Sequence, residues 1–376
     1  MSNRYRVVVV GLNHYHVTGW VDSLYEFRDR LDIVGRYDPN PDRRDLESPD
    51  NVDPNLAPQF PDWFRRVPFY SDLASLIRDA HPDIAVVTLP NALAPAAIQQ
   101  LAEAGVHLLV DKPGARTAIE ARVAFESASA NNVKIALALT RRYGQSWIDA
   151  SHAIRGGRLG KLLTAEAIFV TSSVAVRDPA NQIFCRKAMG GGILHWLGVH
   201  DVDLLLWLAG EPIVEVQAMS AMTNGANIDV EDTISVAFRF ESGALGTMHF
   251  TYALPRPGGN GYSAFRGSGA SLTIEPNGTQ TWIHPGTRHD PLQRQVSSYE
   301  LAPASGYGSV GLRIIDDLLS AIAEDRSPLA TGVHAVRALE VIDAIYEAAR
   351  TGTRVRVPSH ETPEPIVSSS KTERNS

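Results

Sequence analysis

The sequence predicts an α/β protein with an N-terminal doubly wound parallel sheet and a C-terminal α+β domain carrying a largely antiparallel open sheet. Two observations predict it. Through the first 140 residues, short β-branched runs alternate with helix-like stretches, the pattern of a parallel sheet covered on both faces. Beyond residue 140 the strand-like runs follow one another across turns, and some alternate apolar with polar residues, as Ile234, Val236 and Phe238 do against Ser235, Ala237 and Arg239. The expected divisions are residues 1–140, residues 141–357 and a flexible tail over 358–376, rich in Pro, Ser, Thr and Glu.

Taken in order, Arg6 to Val10 is a strand that stops at Gly11, and Val17 to Phe27 is the helix after it. Leu31 to Tyr37 is the second strand and ends at Asp38. The stretch from Pro39 to Pro68, with Pro54, Pro58 and Pro61, is expected to be a surface loop. Val67 to Tyr70, Ile84 to Thr88, Val106 to Val110 and Lys134 to Leu139 read as further strands. Asp72 to Ala80, Pro95 to Ala104 and Ala118 to Ala130 read as the helices between them. In the second part, helices are expected over Trp147 to Gly156 and over His195 to Leu208, where Gly210 makes the stop. Strands are expected at Leu162 to Thr171, Val214 to Met222, Thr233 to Phe240, Ala244 to Tyr252, Tyr262 to Arg266, Ser271 to Ile274 and Gln280 to Ile283. Ile314 to Ala323 and Val333 to Ala349 are closing helices.

The chain of 376 residues exceeds one ordinary core, and its 44% hydrophobic and 20% charged residues give a globular balance. A net charge of -7 leaves no electrostatic footprint for nucleic acid or an anionic membrane, so any anionic ligand must be held by local groups. Cys185 is the only cysteine, which excludes a disulfide framework and a thiol cluster for metal. No run approaches the roughly 18 apolar residues of a membrane span, so the expected location is the cytoplasm.

Gly11 ends a strand where a helix begins, so a pyrophosphate could lie against free N–H groups at the positive end of the helix, as in a Rossmann dinucleotide site. The glycine fingerprint is incomplete. Asn13 holds the second glycine position, where Asn can adopt a left-handed turn; His16 holds the third and must push the helix off the strand or point outward. Asp38 can accept hydrogen bonds from the adenosine ribose and would repel a 2′-phosphate, which favours NAD over NADP, although Arg43 and Arg44 lie close by.

Further motifs continue the pattern. Leu89-Pro90-Asn91 ends the fourth strand, Asp111-Lys112-Pro113 the fifth, Thr140-Arg141-Arg142-Tyr143 opens the second part, and Gly190-Gly191-Gly192 leads into Leu197-Gly198-Val199-His200-Asp201-Val202-Asp203. In order and spacing, from about residue 5 to 357, these resemble the glucose-fructose oxidoreductase, inositol dehydrogenase and rhizopine-catabolism (Gfo/Idh/MocA) family. The resemblance implies an NAD-dependent enzyme that oxidises a secondary hydroxyl of a sugar, sugar acid or cyclitol, usually as a homodimer or homotetramer. It implies cofactor contacts from Gly11, Asn13, His14, Asp38, Pro90, Asn91, Asp111 and Lys112, and makes Lys112 and His200 catalytic. A lysine beside a nicotinamide would have a lowered pKa and could help deprotonate the hydroxyl, and histidine suits proton transfer near neutrality. His200 and Asp203 share a helix face with Trp196 and Leu197, and the three glycines would let backbone approach a ligand.

The chain departs from that family where substrate is bound. Asp111 replaces the usual Glu, Ala94 stands where a histidine is common, and Trp196 stands where the family has an aspartate. A tryptophan offers a stacking face to a pyranose and one N–H donor. Arg186 and Lys187, with Arg177, could hold an anionic group on the sugar, and His195 could also face the pocket. No metal is expected. Two further readings stay open: an NAD-recycling glycoside hydrolase, for which His195 and His200 near Lys112 could supply proton-transfer groups, and a non-catalytic NAD- or sugar-binding regulator, which the altered glycine fingerprint suggests and the retained Lys112 and His200 oppose.

Overall fold

The computed structural model describes residues 4–45, 59–255, 259–285, 291–299 and 307–358. Strands β1 (Tyr5–Val10), β2 (Leu31–Tyr37), β3 (Phe69–Tyr70), β4 (Ile84–Val87), β5 (His107–Val110) and β6 (Ile135–Leu137) form a parallel sheet in the order β3-β2-β1-β4-β5-β6. The order reverses between β1 and β4, so a crevice opens beyond the carboxyl ends of the strands there. Val7 to Val10 and Ile84 to Val87 are all buried, as a sheet covered on both faces requires. Helices α1 (His16–Glu26), α2 (Asp62–Arg65), α3 (Leu73–Ala80), α4 (Ala94–Glu103) and α5 (Ala118–Ala130) connect them. Asp72 and Thr117 start α3 and α5 by accepting from Ser75 N and Glu120 N.

The proline-rich stretch is only partly the loop expected. Its described end folds back as α2, with Phe60 and Phe64 buried against each other at 5.2 Å between ring centres. Pro54 and Pro58, like the tail beyond residue 358, lie outside the described residues.

The second sheet has nine described strands in the order β14-β13-β12-β11-β7-β10-β9-β8-β15. Expected strands appear as β7 (Leu162–Val170), β8 (Ile213–Ala221), β9 (Thr233–Phe240), β10 (Leu245–Thr251), β11 (Asn260–Gly267), β12 (Ser271–Ile274) and β13 (Gln280–His284), joined at the edges by β14 (Gln293–Ser297) and β15 (Val355–Arg356). The sheet is mixed, because β7 and β10 pair in parallel while its other pairs are antiparallel. One face is covered by α9 (Val199–Ala209) and α11 (Gly332–Thr351); the other leaves Met219 and Leu245 exposed. The smaller helices α6 (Gln145–Arg155), α7 (Ser173–Val176) and α8 (Arg186–Met189) flank this sheet's connections.

The closing helices reach back further than their sequence position suggests. α10 (Gly308–Ala323) packs on α1, and α11 packs on α5 as well as on β8 and α9. Leu137 N donates to Ala330 O at 2.9 Å, so the segment between the two helices is bonded to the edge strand β6.

Candidate active site

The β1–α1 turn is built around Gly11. Its φ is +103°, and a Cβ there would come within 2.7 Å of Leu89 N, so only glycine fits between β1 and the end of β4. Gly11 N donates to Tyr37 O at 2.8 Å and Leu12 N to Asp38 Oδ2 at 2.9 Å, which ties the turn to the end of β2. Asn13 does not take the left-handed backbone expected of it; among the non-glycine residues described, only His81, Asn132 and Asp325 have positive φ. Its Nδ2 donates instead to Gln182 Oε1 at 3.4 Å, from a segment laid over the turn. α1 has no side-chain cap, and the N–H groups of His14 and Tyr15 find no acceptor among the described residues. Such an end, with Asp38 at the tip of β2, fits a dinucleotide pyrophosphate and its ribose.

His16, at the third glycine position, does not point outward. Its ring turns sideways, and Nδ1 lies 2.8 Å from Asp111 Oδ2. The same carboxylate oxygen accepts from Trp20 Nε1 at 3.2 Å and from Tyr307 OH at 3.1 Å, and Tyr307 OH also bonds His16 Nδ1. Burial alone would raise the Asp111 pKa, but His16, His14 and Lys112 hold it well below the usual carboxylate range. Where no metal ligands were expected, the structure gathers ligand-capable atoms of His14, His16 and Asp111 within 4.8 Å of one another. Asp111 Oδ2 already serves His16, Trp20 and Tyr307, so the group reads as a hydrogen-bond cluster that leaves Asp111 Oδ1 unpartnered.

Lys112 follows at the end of β5, 5% exposed, with Nζ donating to Trp196 O. Burial pulls its pKa down to about 8, with Asp111 opposing and Arg141 assisting. Trp196 lies in a π-helical turn, Leu194–Gly198, which replaces the start of the helix expected from His195; regular helix begins only at Val199. Such wide turns are frequent at functional sites. Trp196 is 3% exposed, and its ring is bordered by Tyr15 at 6.0 Å, Tyr252 at 6.1 Å and Arg177 Cζ at 5.1 Å. It is a wall of the site rather than the open stacking face expected.

His200, half-buried, projects near Lys112; burial first, then Lys112 and Arg141, push its pKa well below the ordinary imidazole value. Its imidazole is therefore neutral at pH 7. His195 is 1% exposed and stacks on Tyr346 of α11 at 5.7 Å, with burial lowering its pKa to about 4. His14, 6% exposed, is lowered by burial to about 3.

Several of the residues singled out in the sequence have partners within the protein. Asp203 forms a buried two-point ion pair with Arg142, at 2.7 and 2.8 Å. Asn91 Nδ2 donates to Met189 O at 2.9 Å, which latches the end of β4 to the segment before the glycines, while Pro90 stays half-buried beside it. Arg186 donates to Asp229 O at 3.2 Å and lies 3.7 Å from Glu231, so its charge is answered by the protein. The three glycines face the protein itself: a Cβ would strike Arg116 at Gly190, Tyr346 at Gly191 and the Glu231 backbone at Gly192.

Sequence reasoning missed Glu231, a buried carboxylate that accepts from Gly192 N at 3.0 Å, Leu194 N at 3.3 Å and Tyr346 OH at 2.7 Å and so fixes the loop leading to Trp196. It also missed Tyr15 and Tyr307; no local spacing announces contacts that span the chain. What remains unsatisfied points to a ligand. Asp111 Oδ1, Arg177 Nε, Trp196 Nε1, His200 Nδ1 and Tyr252 OH are buried without a partner, all around the Lys112 and Trp196 walls. Buried polar atoms are normally bonded, so such a set fits a ligand with several hydroxyl groups.

Comparison with known proteins agrees with this geometry. Residues 5–139 match an oxidoreductase family with an NAD-binding Rossmann fold, and residues 147–273 match a GFO/IDH/MocA C-terminal domain. Levoglucosan dehydrogenase of Pseudarthrobacter phenanthrenivorans is 26% identical over 77% of this chain and 83% of its own. D-glucoside 3-dehydrogenase of Escherichia coli is 24% identical over 84% and 91%. Among solved structures, a levoglucosan dehydrogenase in complex with NADH and L-sorbose superposes with a TM-score of 0.79 at 20% identity, covering 95% of this chain and 100% of that one.

Proposed function

The chain belongs to the Gfo/Idh/MocA family of NAD-binding oxidoreductases, and from that premise we propose that its pocket oxidises a secondary hydroxyl of a sugar, sugar acid or cyclitol. The observation that carries this reading is the ring of unpartnered buried polar atoms around a buried lysine. Bound NAD supplies the hydride acceptor. Gly11 and the uncapped end of α1 hold the pyrophosphate, and Asp38 meets the ribose. Lys112, in its neutral form, takes the hydroxyl proton at Nζ, with Trp196 O orienting that atom and the neutral His200 imidazole as a second acceptor. Asp111 stays ionised beside Lys112 and is fixed by His16, Trp20 and Tyr307.

A screen of sugars, uronates and cyclitols with NAD, read as NADH absorbance, tests the reading. Stoichiometric NADH and a ketone product are expected, and binding of NAD with no oxidation of any member of the screen would support a regulator instead. The similarity to levoglucosan dehydrogenase and D-glucoside 3-dehydrogenase favours net oxidation over the hydrolytic route.

The Asp38 carboxylate also favours NAD over NADP. It accepts from Leu12 N and Asn40 N and is 3.1 Å from Arg43, so a 2′-phosphate would have to draw Arg43 away while facing the acid. We expect NADH to bind at least tenfold more tightly than NADPH in a fluorescence titration, and equal affinities would remove Asp38 from the discrimination.

The open face of the second sheet, with Met219 and Leu245 exposed, suits self-association into a homodimer or homotetramer; a monomeric mass in sedimentation would reject it. Among the described residues no helix is long and apolar enough to cross a membrane, and we place the enzyme in the cytoplasm.

A further inference from the structure

We propose that Arg177 makes this pocket a receptor for the carboxylate of an acidic sugar, and that the natural substrate therefore carries a negative charge. The proposal rests on the dehydrogenase reading above. Arg177 follows α7 on the segment between β7 and the glycines. Its guanidinium lies 4.6 Å from the Tyr15 ring centre and 5.1 Å from that of Trp196, and the two rings hold it in place. Nε is buried without an acceptor, and no carboxylate among the described residues pairs with the group. The other arginines near this site are answered: Arg141 by Asp201, Arg142 by Asp203 and Arg186 by Glu231. In a chain of net charge -7, a largely buried cation left alone is the exception.

Burial is costly for an uncompensated cation, and arginine cannot relieve the cost by losing its proton. Burial pulls the Arg177 pKa down, and the neighbour that opposes this is Tyr15, whose own pKa burial raises so that it stays neutral. The positive charge is thus unanswered until an anion arrives. Trp196 explains why it is unanswered. The family resemblance places an aspartate at this position, and a carboxylate in this pocket would offset the Arg177 charge and repel an acidic substrate. The tryptophan leaves the charge free and spaces it from the reacting end, since Lys112 Nζ lies 5.9 Å from the same ring centre. A sugar could therefore give its carboxylate to Arg177 as a two-point pair while presenting a hydroxyl to Lys112.

The same guanidinium chemistry would suit the pyrophosphate of the dinucleotide, because Tyr15 stands at the start of α1. The experiment separates the two. Wild-type, Arg177→Gln and Arg177→Lys proteins are compared in three measurements: NADH affinity by fluorescence, calorimetric binding of glucuronate and galacturonate to the NADH-loaded protein, and NAD-dependent oxidation of glucuronate against glucose and galacturonate against galactose. The expected result is that the wild type binds a uronate and prefers the acidic member of a pair by about tenfold or more in kcat/KM. Arg177→Gln brings that ratio close to one with NADH affinity within about twofold of wild type, and Arg177→Lys, a point charge without the fork, keeps part of it. Failure of both uronates to bind, no acid preference in the wild type, or an Arg177→Gln protein that loses NADH affinity with its acid preference intact would each overturn the proposal. Uronate binding that depends on Arg177 without oxidation of any sugar would uphold the anion receptor and sink the dehydrogenase reading alone.

Discussion

Replacing Lys112 by methionine is expected to lower turnover by roughly two or more orders of magnitude while NAD affinity stays near that of the wild type, the usual scale for a positioned acid or base. Methionine suits the test because the side chain is 5% exposed and an unbranched apolar chain can occupy its volume. The change removes the bond to Trp196 O, and leaving that carbonyl without its donor costs about 1–3 kcal/mol, a modest loss of stability that cannot imitate a loss of kcat. The pH profile supplies a second check. Burial lowers the Lys112 pKa to about 8, so the neutral, proton-accepting form is scarce at pH 6 and dominant at pH 9. For oxidation, kcat/KM of the wild type should therefore rise through about pH 8 and level off above it, and the methionine variant should lack that rise. A wild-type profile flat from pH 6 to 9, or near-normal turnover in the variant, would remove Lys112 from the proton transfer.

Those parts of the molecule governed by local rules are legible in the sequence. The turn at Gly11 follows from a β-branched run meeting a helix, and Lys112 follows from a strand ending at the edge where parallel sheets bind ligands. The face alternation of β9 announced a half-open sheet. What escaped has a common cause: it depends on partners far apart in the chain. His16 was read only as a poor glycine, yet Asp111 and Tyr307, 95 and 291 residues away, give its ring a place. The three glycines suggested a ligand, but the atoms that forbid a Cβ belong to Arg116, Tyr346 and Glu231. Trp196 looked like an open platform, and only the fold brings Tyr15, Tyr252 and Arg177 around it. Arg177 and Arg186 are indistinguishable as basic residues near the substrate loop; the Glu231 carboxylate and the Asp229 carbonyl, both reached only in the fold, answer Arg186.

The largest expected loss of stability comes from cutting the Arg142–Asp203 pair. Both side chains are 3% exposed, the two bonds are 2.8 and 2.7 Å, and the guanidinium lies 5.1 Å from the Trp207 ring centre. The pair joins the segment after β6 to α9, so it clamps the first sheet's exit to the helix that carries His200. Arg142→Met leaves a carboxylate buried with no counter-charge, which costs about 3–5 kcal/mol when one partner of a buried pair is removed. The apparent unfolding midpoint should fall by roughly 4–6 degrees. Asp203→Leu alone should do comparable harm by stranding the arginine. The double variant, with both charges gone and apolar side chains in their place, should be more stable than either single one, because the penalty in each single variant is mainly the orphaned charge rather than the lost attraction. If the double variant instead loses the sum of the two, the residues act independently and the clamp does not exist. His200 adds a functional reading to the same cycle: a loosened α9 should lower kcat in the single variants and recover in the double, while NADH affinity, which the proposed function assigns to Gly11 and Asp38, stays within about twofold.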